Sequence, residues 1–271
     1  MIRVELAKLF GRRRTWVAIG LLNLLPTLVC VFLAWTRIAP RPGQGPAFLS
    51  AVIANGSLFA IAALAIVLPL FLPIAVAVVA GESVAGEAQA GTLRYLLVRP
   101  VGRTRLLVAK LVSVVAFVLV GVVTVVGIGF VVGHFLLGDA PLSQAMVSVS
   151  GSILTPEQVA WRTVAAILLV TFSMLGVAAM ALFLSTTTDS PLSATLGALA
   201  FLIGSSLLLT VDAARPLQPY LPTRYWLAFV DLYRDPILWS NVTRGIALQA
   251  VYVGVLLLAA WANFQSRDVT S

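Results

Sequence analysis

The sequence predicts an all-helical membrane protein with six transmembrane helices. Of its 271 residues, 60% are hydrophobic and 10% are charged, whereas soluble globular proteins carry about 25% charged residues. The mean hydropathy is +1.03, and the apolar residues are spread along the whole chain. Six stretches without charged residues are each long enough for one crossing, since a spanning helix needs about 20 apolar residues. We therefore expect a single transmembrane domain over residues 1–271.

An amphipathic elbow helix is predicted at residues 1–14. Its apolar residues recur at helical spacing on one face, and this stripe consists of Ile2, Leu6, Leu9 and Phe10. The helix leads into the arginines Arg12, Arg13 and Arg14. Such a helix is suited to lying in the membrane interface. A secretory signal has a similar layout, but the apolar run that follows is too long for one, so we expect the helix to be retained.

The six predicted spans follow in order along the chain. Their expected boundaries are 15–36, 57–80, 106–137, 157–185, 190–211 and 244–265. The second span is expected to be one long kinked helix, because Pro69 and Pro73 interrupt its end. A re-entrant or interfacial piece is expected before it, where prolines and glycines at 42–46 favour a loop.

Capping signals and tryptophans support several of these boundaries. Thr155 is expected to cap the fourth helix, because Pro156 suits its first position and Gln158 completes a capping box. A short turn with a helix cap is expected at 185–191, between the fourth and fifth spans. Indole rings prefer the membrane interface, and four of the six tryptophans lie at predicted span ends. These are Trp16, Trp35, Trp161 and Trp261.

The extracellular segment 212–243, before the last span, is rich in aromatic residues and prolines. A helix from about Thr223 would place Trp226, Phe229 and Tyr233 on one face. This pattern predicts a re-entrant hairpin, and simple interfacial anchoring of the same aromatic residues is the alternative.

The distribution of Lys and Arg predicts the orientation. Five of these residues lie in the N-terminal segment, five lie between the second and third spans, and with Arg267 this gives 11 on one face against seven on the other. Cytoplasmic segments are enriched in Lys and Arg, so both termini are expected in the cytoplasm. The expected location is the cytoplasmic (inner) membrane of a prokaryote, and the net charge of +8 is then no sign of a nucleic-acid partner.

Composition also argues against several functions. One His and one Cys are too few for a zinc site, and His134 is expected to be an interfacial residue. The chain offers no pairing of a nucleophile with a base, so no catalytic residue and no metal ligand is expected. Ion-coupled carriers commonly need ionisable residues inside the membrane, which argues against a stand-alone secondary carrier.

The segment 82–100, between the second and third spans, is the most informative. Thr92 is suited to cap a short helix that Pro100 would end. In that helix Leu93, Leu96 and Leu97 would form one apolar stripe. Such a stripe either binds a protein partner or dips into the membrane interface, and the residues alone leave both possibilities open.

A longer motif runs from Glu87 to Lys110. Its pattern is Glu-x-x-x-Gly-Thr-Leu-x-x-Leu-Leu-x-x-Pro-x-x-Arg-x-x-Leu-Leu-x-x-Lys, which resembles the loop of type-2 ATP-binding-cassette (ABC) exporter permeases. The elbow, the six spans, the aromatic segment and the Arg267-Asp268 ending extend the likeness over nearly the whole chain, although only the loop motif is specific. The resemblance implies that the loop carries a coupling helix, which docks on a separate ATPase subunit.

The resemblance also implies which residues bind that ATPase: Glu82, Glu87, Gly91, Thr92, Leu93, Leu96, Leu97, Arg99, Pro100 and Arg103. The arginines at 12–14 are expected to pair with Glu82 and Glu87 in exposed ion pairs worth about 0–1 kcal/mol. A plain solvated pair is the alternative. The chain itself would bind no cofactor, and ATP and Mg²⁺ would bind to the partner.

The expected function is therefore that of a permease subunit, driven by a separate ATPase, that moves a hydrophobic or amphipathic substrate across or out of the membrane. A second permease copy, identical or different, would complete the path within the lipid bilayer. The first alternative is an ABC complex for envelope processing, such as metal delivery, with an accessory periplasmic protein. The second is a stand-alone secondary carrier or channel.

Overall fold

A computed structural model gives the arrangement of most of the chain. It describes residues 1–36, 56–91, 102–138, 146–147 and 153–266. These residues form a helical bundle with one two-residue antiparallel strand pair, β1 (Met146–Val147) and β2 (Ile153–Leu154). Within this described part, six helices are long and apolar enough to cross a membrane. The prediction of an all-helical protein with six candidate membrane spans is confirmed.

Eight α-helices, numbered in chain order, make up the described bundle. They are α1 (Ile2–Phe10), α2 (Arg13–Thr36), α3 (Phe59–Val67), α4 (Phe71–Gln89), α5 (Arg103–Leu137), α6 (Pro156–Thr187), α7 (Pro191–Leu208) and α8 (Trp239–Ser266). The candidate spans are α2, α4, α5, α6, α7 and α8. Short 3₁₀ helices occupy Gly56–Leu58, Asp212–Ala214, Gln218–Tyr220 and Trp226–Tyr233.

The second predicted span differs from the structure and is corrected by it. Instead of one kinked helix at 57–80, α3 and α4 are separate helices, and α4 continues to Gln89. The break follows from Pro69, which cannot donate a backbone hydrogen bond, and the chain leaves helical geometry at Leu70, where φ is −137° and ψ is −59°. Pro73 is tolerated because it lies in the first turn of α4, where its missing N–H has no helical partner to lose. Glu82 and Glu87 therefore lie on a helix and not in a loop.

Helix α4 packs mainly against α6 and α7. Its contact with α7 is close at Gly81, where an added Cβ would lie 2.5 Å from Thr195 Oγ1. A small cluster of buried apolar residues joins the end of α4 to three other helices. Its members are Val84, Leu106, Leu107, Leu182 and Phe264. Movement of the end of α4 is thereby coupled to α5, α6 and α8.

The predicted caps are present. The Thr155 hydroxyl accepts from the Gln158 backbone N–H, and the Gln158 side chain accepts from the Thr155 backbone N–H, which completes the capping box of α6. Ser190 caps α7 by accepting from the Ser193 backbone N–H, with Pro191 at the first helical position. These caps satisfy backbone donors that a helix start leaves unpaired.

The aromatic segment before α8 packs onto the bundle through its 3₁₀ helix Trp226–Tyr233, which contacts α6 and α8. Trp226, Phe229 and Tyr233 are all buried, but so are three other residues of this eight-residue helix. The shared aromatic face and the re-entrant hairpin therefore stay predictions. The Tyr233 hydroxyl lies 2.8 Å from the Thr163 hydroxyl. Burial raises the pKa of Tyr233, so this phenol stays neutral and acts only as a hydrogen-bonding group.

Both ends of the described chain lie at the same end of the bundle. Helix α1 contacts α5, and the Arg103 guanidinium, at the start of α5, donates to the carbonyls of Phe264 and Gln265 at the end of α8. The first residues of α5 are therefore held between α1 and α8.

Candidate functional site

Four charged side chains meet where α1 packs against the end of α4 and the start of α5. Glu5 and Lys8 come from one turn of α1, Glu87 from the last turn of α4, and Lys110 from the second turn of α5. These four residues are called the charge cluster below. It contains two cations and two anions, so its formal charge is balanced.

The cluster is centred on a buried lysine. Lys110 is 1% exposed and Glu87 is 6% exposed, and Lys110 Nζ lies 2.6 Å from Glu87 Oε2 and 3.8 Å from Glu5 Oε2. Lys110 also donates to the backbone carbonyl of Ser83 at 2.5 Å, and Lys8 forms a second ion pair with Glu87. A buried ion pair is favourable only when further hydrogen bonds offset the loss of hydration, and here the carbonyl and the second partners supply them.

The cluster corrects the expectation for Glu87. This carboxylate is not in an exposed pair with the arginines at 12–14, because the extension of α4 carries it into the bundle beside Lys110. Glu5, Lys8 and Lys110 were not among the predicted site residues. Lys110 could have been recognised from the sequence, because it is a lone cation between apolar residues and the last position of the motif that Glu87 begins. The two ends of this motif are in direct contact.

The second predicted glutamate does pair with the arginine run. Arg14 Nη1 lies 2.9 Å from Glu82, in an ion pair that is open to solvent. Arg12 is half-buried and Arg13 is exposed. Neither forms an ion pair with another residue in the described part of the chain. Of the predicted partners, the structure therefore brings together Arg14 and Glu82.

The remaining predicted site residues lie in or beside the segment that connects α4 to α5. Gly91 follows the end of α4 with a φ of 67°, a left-handed conformation that glycine adopts without strain. Arg103 is used in the contact with α8 described above. The other six lie outside the described residues: Thr92, Leu93, Leu96, Leu97, Arg99 and Pro100.

A buried serine on α6 contacts the backbone of α4 just before the cluster. The Ser185 hydroxyl donates to the Gly81 carbonyl at 2.7 Å and accepts from the backbone N–H groups of Ala85 at 2.8 Å and Val84 at 3.1 Å. In a regular helix the Ala85 N–H and the Gly81 carbonyl pair with each other. Ser185 bridges these two groups and so ties α6 to the turn of α4 that carries Glu82.

Replacing Ser185 by alanine is expected to destabilise the protein by about 1–3 kcal/mol, because it leaves buried backbone groups of α4 without their partner. The free energy of unfolding of the purified chain in mild detergent would measure this effect. Thr187→Ala is the matched control: it removes a hydroxyl from the same helix that is exposed and bonds only to the Leu184 carbonyl. Equal effects of the two substitutions would contradict the bridging role.

The described residues offer little for other chemistry. No group of three or more His, Cys, Asp or Glu among them is placed to hold a metal ion. His134 is exposed on α5 and stacks against Phe130, with ring centroids 6.3 Å apart. The free Cys30 is buried in α2. The charge cluster itself consists of paired ions, an arrangement suited to joining helices.

The fold and the charge cluster define a multi-pass helical membrane protein whose α4 and α5 are joined by buried ion pairs. The chain belongs to the family described as "Protein of unknown function (DUF2705)", whose model matches residues 25–270. Glu87, Lys110 and Ser185 lie within the matched range, and Glu5 and Lys8 precede it. No curated protein matches this sequence.

Proposed function

We propose that this chain is the membrane-spanning permease subunit of an ABC exporter, driven by a separate ATPase subunit. The observation that carries the proposal is the contact between Glu87 and Lys110. These residues begin and end the motif that resembles the coupling-helix loop of ABC exporter permeases. The contact therefore joins the two helices that flank this loop.

The charge cluster provides a route for force from the loop into the membrane. A displacement of the loop would act on the end of α4 and the start of α5 together, because Glu87 and Lys110 hold them side by side. Helix α4 would pass it to α6 and α7, on which it packs. In this mechanism, ATP binding would close the partner ATPase subunits and so displace the loop. The helices would then shift as rigid bodies and change access to the translocation path.

The proposal also assigns an orientation in the membrane and a role to three segments of the chain. The charge cluster would face the cytoplasm, with both termini on that side of the inner membrane and α1 as an elbow helix in the interface. Residues 92–100 would form the coupling helix, and the aromatic segment before α8 would seal the outer exit as a hairpin. Two copies would form the path, with ATP and Mg²⁺ on the ATPase.

The first test is whether the neighbouring reading frame encodes an ATPase with Walker motifs. The tagged chain is then co-purified with that ATPase, and ATP turnover of the complex is measured. Leu96→Asp places a charge on the predicted apolar stripe and is expected to abolish co-purification. Leu217→Asp is the matched control, since Leu217 is exposed in the segment between α7 and α8, at the opposite end of the bundle. It should leave the complex intact.

Two results would overturn the proposal. One is a Leu96→Asp complex that keeps its composition and full ATP turnover, which would show that the stripe does not dock. The other is substrate transport or ion conduction by the purified chain without any ATPase, which would favour a stand-alone carrier or channel.

A further inference from the structure

A cleft of about 1090 Å³ opens beside the charge cluster. Helices α1, α2, α4 and α7 form most of its walls, and the start of α5 closes the polar end. Small-molecule sites are usually about 300–1,000 Å³, so the cleft can receive a molecule larger than a typical small ligand. Its walls are apolar at one end and polar at the other.

One face of α4 lines the cleft along its length. The apolar half of this face consists of Phe71, Ile74, Ala75, Val78 and Val79, and the polar half consists of Glu82, Ser83, Gly86 and Glu87. The spacing alternates between three and one residues, as one helix face requires. From Phe71 to Val79 the apolar half is about 12 Å long at 1.5 Å per residue. This is close to one leaflet of hydrocarbon, about 15 Å, half of the full core.

Helix α2 shows the same division on the opposite wall. Ala18, Leu21 and Leu22 line the apolar half, and Arg14 lines the polar half together with Arg12, which lies in the turn just before α2. The Arg14–Glu82 ion pair joins the two walls near the boundary. Leu21 on α2 and Val78 on α4 line the cleft and are 57% and 39% exposed, so the apolar half of the cleft is open and not enclosed. In a membrane this apolar half is therefore open to the lipid chains.

The polar half carries a cation that its own anions do not neutralise. Lysines and arginines at 8, 12, 14 and 110 line it together with glutamates at 5, 82 and 87, so its formal charge is +1. Lys8 and Lys110 pair with Glu87, and Arg14 pairs with Glu82. Arg12 is left without an ion pair among the described residues. An anionic group at this position would complete the charge balance.

We infer that the cleft binds one anionic phospholipid, with its phosphate at Arg12 and an acyl chain along the apolar face of α4. Three features favour this ligand: the polar and apolar halves of the cleft match those of a phospholipid, the apolar half is open to the lipid chains, and Arg12 is not neutralised. A second copy of the chain would satisfy Arg12 poorly, because a symmetric interface brings the same patch of both copies together. The site does not depend on the proposed ATPase partner.

The test uses the purified full chain in detergent and compares phosphatidylglycerol with phosphatidylcholine of the same acyl chains, by native mass spectrometry. The anionic lipid is expected to bind more tightly. Arg12→Gln should weaken its binding about tenfold, the effect of losing a charged hydrogen bond. Arg3→Gln is the control, because Arg3 is exposed on α1, does not line the cleft and should leave binding unchanged. Val78→Trp fills the apolar half of the cleft and should weaken the binding of both lipids.

Several outcomes would overturn the inference. Equal affinity for the two lipids, or equal losses for Arg12→Gln and Arg3→Gln, would remove the role of Arg12. If glycerol phosphate without acyl chains competes as well as the lipid, the site binds phosphate and not a lipid. If Val78→Trp disrupts a dimer of the chain and leaves lipid binding unchanged, the cleft is an interface between copies.

Discussion

Replacing Lys110 by methionine is expected to destabilise the bundle by about 3–5 kcal/mol, the usual effect of removing one partner from a buried ion pair. Methionine keeps an unbranched side chain of similar length but carries no charge. Glu87 would then remain buried without its ion pair to Lys110, and the Ser83 carbonyl would lose its hydrogen bond from Lys110. The free energy of unfolding by denaturant in mild detergent would measure the loss.

Two further variants make this prediction specific. Glu82 lies on α4, as Glu87 does, and Glu82→Gln removes its solvent-open ion pair with Arg14 of α2. This change should cost no more than about 1 kcal/mol. The double variant Glu87→Met with Lys110→Met removes both central charges, and it should recover a large part of the stability, since apolar replacements of a whole buried pair are often tolerated. If the Lys110→Met variant has the same free energy of unfolding as the unmodified chain, the charge cluster does not hold α4 and α5 together.

Replacing Phe229 by alanine is the second change with a large expected effect. Phe229 is fully buried, at 0% exposure, in the 3₁₀ helix that packs on α6 and α8. Truncation of a buried phenylalanine leaves a cavity and typically costs about 3–5 kcal/mol. The free energy of unfolding by denaturant in mild detergent would measure this loss as well.

Leu227 provides the control for Phe229, because it lies in the same 3₁₀ helix but is 47% exposed. Leu227→Ala should change stability by no more than about 0.5 kcal/mol, as for other surface positions. Comparable losses for the two variants would show that the segment is not anchored through its buried aromatic face.

Local signals predicted much of the bundle correctly. Stretches without charged residues located five of the six candidate spans and the first part of α4, because a long apolar helix is the form in which a chain crosses hydrocarbon with its backbone groups paired. The caps at Thr155 and Ser190 were predictable because a cap joins residues only three positions apart. A helical element near Trp226 was also predictable, although the structure shows a 3₁₀ helix at Trp226–Tyr233 and not a helix from about Thr223.

The length of α4 could not be obtained from local signals. Gly81, Gly86 and the acidic residues after Gly81 resemble a loop in the sequence, yet the helix continues to Gln89. Packing explains this outcome, because Gly81 permits a close approach to Thr195 and Ser185 bonds to the backbone of the same turn. Neither contact leaves a trace in the sequence around Gly81.

Composition and charge spacing were sufficient to predict a helical membrane protein with six candidate spans, and the motif pointed to the region between Glu87 and Lys110. That these two residues are buried partners, and that Glu5 and Lys8 join them, was visible only in the folded chain. Local patterns cannot reveal such contacts, because the partners are far apart along the chain: Lys8 and Glu87 are separated by 79 positions. A contact of this kind exists only after α1, α4 and α5 have packed together, and the amphipathic cleft beside it arises in the same way.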